Sequence, residues 1–79
     1  MQEGHLVNLD GIYFATQTLD RAHAVVKELL GQHPDGITTS AFREAANTTR
    51  KYAVPLLEAL DARGITRRRG DLRIAGPRL

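Results

Sequence analysis

Residues 38–60 read TTSAFREAANTTRKYAVPLLEAL, and how this stretch is divided decides the fold. Thr38 or Thr39 can cap a short helix running to about Ala46, with Ala41, Phe42 and Ala45 turned inward. Asn47 tolerates a left-handed backbone, and Thr48 can cap the next helix. That helix puts Ala53, Leu56, Leu57 and Leu60 on one face and Arg50, Lys51, Val54, Glu58 and Asp61 on the other. Pro55 lacks an N–H, which predicts a bend or a tightened first turn. Gly64 ends the helix, with Ile65 closing a Schellman motif. Two helices joined by Ala46-Asn47-Thr48 form a helix-turn-helix pair.

Downstream, Thr66-Arg67-Arg68-Arg69, Gly70-Asp71 and Leu72-Arg73-Ile74 read as a hairpin, with Gly70 suited to the first central position of a type II′ turn. Upstream, Leu6-Val7-Asn8-Leu9, Asp10-Gly11 and Ile12-Tyr13-Phe14 read as another, closed by a type I′ turn. Between the first hairpin and the helix pair, Thr18 is a candidate cap for a helix presenting Ala22, Val25, Val26, Leu29 and Leu30 on one face. Gly31 is expected to end it, ahead of the turn His33-Pro34-Asp35-Gly36 and an extended Ile37-Thr38 link. Hairpin, three helices and hairpin describe an α+β winged helix, with the second hairpin as the wing. Met1–Gly4 reads as a tag or cut end, 5–75 as the domain and 76–79 as a frayed tail.

A chain of 79 residues has room for one core. Without cysteine it has neither disulfides nor thiolate metal sites. No signal peptide or membrane span is legible, so a cytoplasmic place with no membrane partner is the default. The net charge of +2 conceals an asymmetry. Residues 1–39 carry two cations against five carboxylates, whereas residues 40–79 carry nine cations, eight of them arginine, against four. Arginine's planar fork suits phosphate.

Two basic clusters stand out. In the wing, a two-residue turn pairs Arg68 with Arg73 and Arg67 with Ile74. Like charges opposite one another destabilise a bare ribbon, so a polyanion over that face is expected. At the start of the third helix, Thr48-Thr49-Arg50-Lys51-Tyr52 places two cations where the helix dipole disfavours them, which points to an anionic ligand. Solvated surface charge is the competing explanation in both places. Tyr52 is left between stacking on a base and packing in the core. Arg43 either joins the basic surface or pairs with Glu44 or Asp35. His5, His23 and His33 are too scattered to hold a metal, and His23 is expected at the surface. Neither catalytic residues nor a cofactor motif are found: there is no phosphate loop, no carboxylate pair, and Ser40 is the only serine.

The chain from Phe42 to Ile74 resembles the last winged-helix domain of the bacterial selenocysteine-specific elongation factor. The resemblance rests on Phe42-Arg43-Glu44, Thr49 through Glu58, Asp61, Gly64 through Arg68, Gly70-Asp71 and Arg73. Asp10 through Phe14 and Ile37-Thr38 extend it over nearly the whole chain. Family members usually have serine where Thr49 stands, and often an aliphatic residue where Arg69 stands. The resemblance implies a domain without the GTPase portion of its parent, binding the selenocysteine insertion hairpin of a messenger, with the ribosome as partner in the full-length context. By carry-over, Thr49, Arg50, Lys51 and Tyr52, with the wing residues Arg68 and Arg73, look like the contact surface; Arg67 and Arg43, from the basic half of the chain, complete the expected RNA-binding surface of a monomer. The alternatives are a DNA-binding winged helix of a transcription regulator and a protein-interaction winged helix. Glu58 and Asp61 on the third helix oppose a duplex lying along it.

Overall fold

The computed structural model describes residues 6–79; Met1–Gly4 and His5 lie outside the described residues. The order is β1 (Leu6–Leu9), β2 (Ile12–Ala15), α1 (Thr16–Gln32), α2 (Thr39–Ala45), α3 (Arg50–Ala62), β3 (Thr66–Arg69) and β4 (Leu72–Ala75). This is the winged helix that the sequence predicts. β1 pairs with β2 and β3 with β4, both antiparallel. Ile37 adds a short third rung, its N–H and carbonyl both bonded to Arg73 at 2.9 Å.

The two turns follow their sequences. Asp10 and Gly11 both take positive φ (55° and 81°), as a type I′ turn requires. In the wing only Gly70 does (61°), as in type II′. Between the ribbons, Leu19, Ala22, Val26 and Leu30 of α1 meet Phe42 of α2 and Leu56, Leu57 and Leu60 of α3 in one core. Phe42 and Leu60 are fully buried there, at 0% exposure. α3 ends as predicted: Gly64 is left-handed (77°), its N–H bonds to the Asp61 carbonyl at 3.0 Å, and the Ile65 N–H reaches the Leu60 carbonyl at 3.0 Å.

Several boundaries and orientations differ from expectation. Thr18 does not cap α1, which starts at Thr16 directly out of β2 with extended Ala15 before it. The start is set by the need to bury Leu19 and Ala22, not by a capping side chain. Gly31 does not end the helix either. It stays helical to Gln32 and stops at His33, whose successor Pro34 disfavours a helical residue before it. In α2 the Thr38 hydroxyl accepts from the Ala41 N–H at 3.0 Å, but Ala45 is exposed and Ala46 packs on the core in its place. Ala46, four residues from Phe42, shares its face. Thr49, not Thr48, is the N-cap of α3, and its side chain makes no capping bond. His23 is half-buried, with Nε2 enclosed and without a hydrogen-bond partner.

Pro55 is accommodated inside α3 and is itself buried. The first turn is tightened, with the Thr49 carbonyl accepting from both Tyr52 (3.1 Å) and Ala53 (2.8 Å). The last residues are docked and not frayed. The Gly76 N–H bonds to the Ile65 carbonyl at 2.9 Å, the Arg78 N–H to the Gly64 carbonyl at 2.8 Å, and Leu79 packs against the core. A Cβ at Gly76 would collide with the Gly64 carbonyl, so glycine is required at that crossing.

Candidate nucleic-acid interface

The candidate residues fall into two groups attached at opposite ends of α3. Arg50 opens the helix, whereas the wing is tied to Asp61 near its close; at 1.5 Å per residue these points are about 17 Å apart. A ligand touching both groups must therefore extend along α3 or bend around it.

At the helix start, Thr49, Arg50 and Lys51 are exposed. The Asn47 backbone (φ 54°) turns the chain sharply enough to bring them to the surface directly after α2. No acidic residue occupies the first turn of α3, and Thr49 offers an uncommitted hydroxyl beside its first N–H groups. The two cations thus add to the positive end of the helix dipole, a favourable field for phosphate. Tyr52 is packed on one side and open on the other. One edge of its ring meets Phe14 edge-to-face (centroids 5.9 Å apart, 89°), while 38% of the residue stays exposed. Lys51 Nζ lies 5.8 Å from the same ring's centroid.

Beside Tyr52 opens a cleft of about 560 Å³ between the first hairpin and the turn from α2 to α3. Phe42 and Leu56 contribute to its apolar lining; Tyr13, Arg21, Asn47, Thr48 and Tyr52 supply its polar groups. Its size lies within the range of small-ligand clefts, about 300–1,000 Å³. The sequence did not single out Tyr13, Arg21 or Asn47. Tyr13 was legible in principle, because Ile12 and Phe14 face the core and strand alternation sends the residue between them outward, where it is 66% exposed. Arg21 lies in the acidic half of the chain, so charge counting hid it.

Arg43 is half-exposed, with Nη2 at 3.7 Å from Glu44 Oε2, one of the two pairings left open for it. The other, with Asp35, does not form. In the wing, Arg67, Arg68 and Arg69 are exposed. The register is as predicted, with Arg68 opposite Arg73, Arg67 opposite Ile74 and Arg69 opposite Leu72. Arg73 nevertheless contradicts its assignment to the contact surface. It is 6% exposed, and its guanidinium turns inward to Asp61, with Nη2–Oδ2 at 3.1 Å and Nε–Oδ2 at 3.2 Å. Asp61, expected on the outer face, is half-buried for this reason. It also accepts from the Thr66 hydroxyl at 2.5 Å. The like-charge pair Arg68/Arg73 is thus relieved from within by a carboxylate, and the ribbon needs no polyanion for that purpose.

Among the described residues no group of three or more His, Asp or Glu stands together as a metal site, and no helix is long and apolar enough to cross a membrane.

Comparison with known proteins adds the family context. Residues 28–75 match the family described as "Elongation factor SelB, winged helix". A selenocysteine-specific elongation factor from Desulfomicrobium baculatum is 34% identical over 74 residues, which cover 92% of this chain and 12% of that protein. The chain therefore corresponds to a small part of its relative's length, and the matched part is the winged helix.

Proposed function

The chain belongs to the winged-helix family of elongation factor SelB, and on that premise we propose that it is an RNA-binding domain that grips the selenocysteine insertion hairpin of a messenger. The observation that carries this reading is the start of α3, where exposed Thr49, Arg50 and Lys51 adjoin a cleft faced by Tyr13, Arg21 and Tyr52. Phosphates are held at the helix start, and an unpaired loop base enters the cleft against the exposed part of Tyr52. The A-form major groove is too deep and narrow to admit a helix, so a protein reads RNA through backbone shape and splayed bases. A short cationic helix start beside an aromatic cleft suits that task better than a long base-reading helix face does.

The wing arginines Arg67 and Arg68 supply a second set of phosphate contacts, with Arg43 at the margin of the first. The domain's own role is binding without catalysis. The similarity reaches the winged helix and not a GTPase portion, so nucleotide hydrolysis and delivery of selenocysteyl-tRNA belong to the longer factor. In that setting the ribosome is the larger partner.

The test is a titration of the 79-residue chain with the insertion hairpin, a hairpin with substituted loop bases, and a DNA duplex of equal length, at two salt concentrations. The hairpin is expected to bind at least about tenfold more tightly than either competitor, with affinity falling as salt rises through counterion release. Equal affinity for all three would reduce the function to general phosphate binding. Preference for the duplex would replace RNA with DNA.

A further inference from the structure

Arg73 is the residue whose role changes most between sequence and structure. Its backbone pairs with Arg68 on one side and with Ile37 on the other. Its side chain crosses to Asp61 near the end of α3, and the same carboxylate holds Thr66 at the foot of β3. The Asp61 carboxylate thus joins α3 to both strands of the wing through side chains, while the Arg73 backbone ties the same strand to the link before α2. The side-chain contacts of the core are apolar and non-directional. This one is directional, because a planar guanidinium meets a carboxylate only in a narrow set of orientations.

We infer that Asp61 and Arg73 form a latch at the wing root that aims the wing arginines at RNA, making both of them positioning residues for binding. The register supports the geometry. Arg68 shares the latch face with Arg73, while Arg67 and Arg69 project from the opposite face of the ribbon. A wing held at its root by the Ile37 backbone rung without the latch would keep its charges but lose their exact placement relative to Arg50 and Lys51. A buried ion pair is a poor source of stability compared with apolar side chains of equal volume, and its best-attested value is to specify geometry. The inference rests on the RNA reading above.

The test replaces the latch by an apolar pair, Asp61→Leu with Arg73→Met, and crosses it with Arg67→Ala/Arg68→Ala in the full chain. In the wild-type background the wing alanines are expected to lower hairpin affinity about tenfold at low salt. In the latchless background they should cost less than about twofold, because contacts already misplaced cannot be lost again. The latchless chain itself should lose about tenfold while its Tm stays within a few degrees of wild type. Equal costs in the two backgrounds, or wild-type affinity without the latch, would overturn the inference. Should the double substitution unfold the chain, Asp61→Asn, which keeps shape and loses charge, takes its place. It is expected to shift the Arg67–Asp71 amide resonances and weaken binding, and unchanged resonances with unchanged affinity would refute the latch. Failure of the wild-type chain to bind any hairpin would instead defeat the RNA reading, and the positioning role with it.

Discussion

The two hairpins are built alike and held differently. Each has four-residue strands and a two-residue turn. The first is fixed by side chains on one face: Phe14 is buried, and Val7, Leu9 and Ile12 pack partly against the core. Its other face is left to Leu6 and Tyr13, both about two-thirds exposed. The wing has no comparable apolar anchor on β3, whose buried residue is Thr66, followed by three exposed arginines. It is held by Thr66, Asp61 and Arg73, together with the backbone rung from Arg73 to Ile37. An apolar anchor leaves a ribbon free to carry aromatic groups, whereas a polar anchor suits a ribbon that must carry charge to a fixed place.

That contrast can be broken from either side. The largest effect is expected from Phe14→Ala, which removes the apolar anchor and the edge contact to Tyr52, at about 3–5 kcal/mol in denaturant unfolding. Arg73→Ala should come close, about 3 kcal/mol, because Asp61 then keeps a half-buried charge without its partner. The two differ in a diagnostic way: Asp61→Leu added to Arg73→Ala should restore part of the loss, whereas no polar change rescues Phe14→Ala. Equal behaviour would mean that the ribbons are anchored by the same physics.

Smaller effects sharpen the distinction between holding and binding. Arg50→Ala with Lys51→Ala should leave Tm almost unchanged, since both side chains are exposed, yet weaken hairpin binding and reduce the salt slope by about one to two. A large stability loss would make them structural. Gly70→Ala should cost about 1 kcal/mol through its left-handed backbone alone, for nothing lies within 4 Å of the added methyl. Asn8→Ala is the mildest. It deletes an exposed 3.0 Å bond from the Gly11 N–H to the Asn8 side chain, at about 0.5 kcal/mol.

Much of this was legible because it is local. Asp10-Gly11 and Gly70-Asp71 dictate their turns, Gly64-Ile65 dictates the end of α3, and the pairing of Arg68 with Arg73 follows from turn length. Local cues failed where a distant partner decides. Gly31 is overridden by His33-Pro34 two residues on, and Ala45 by the direction in which Phe42 must point. Arg73 was misassigned because its partner, Asp61, is twelve residues away on an element that periodicity alone turns outward. The docking of Gly76 and Arg78 onto Gly64 and Ile65 has no sequence signature, and neither does the cleft, which three separated segments create.

The most direct test of the binding surface is to follow backbone amide resonances of the chain as the insertion hairpin is added. The shifts are predicted to concentrate at Thr49–Tyr52, Tyr13, Arg21 and the wing arginines Arg67–Arg69, with Arg73 moving little. Shifts centred on the outer face of α1, around Asp20, Lys27 and Glu28, with none at Arg50 and Lys51, would contradict the account.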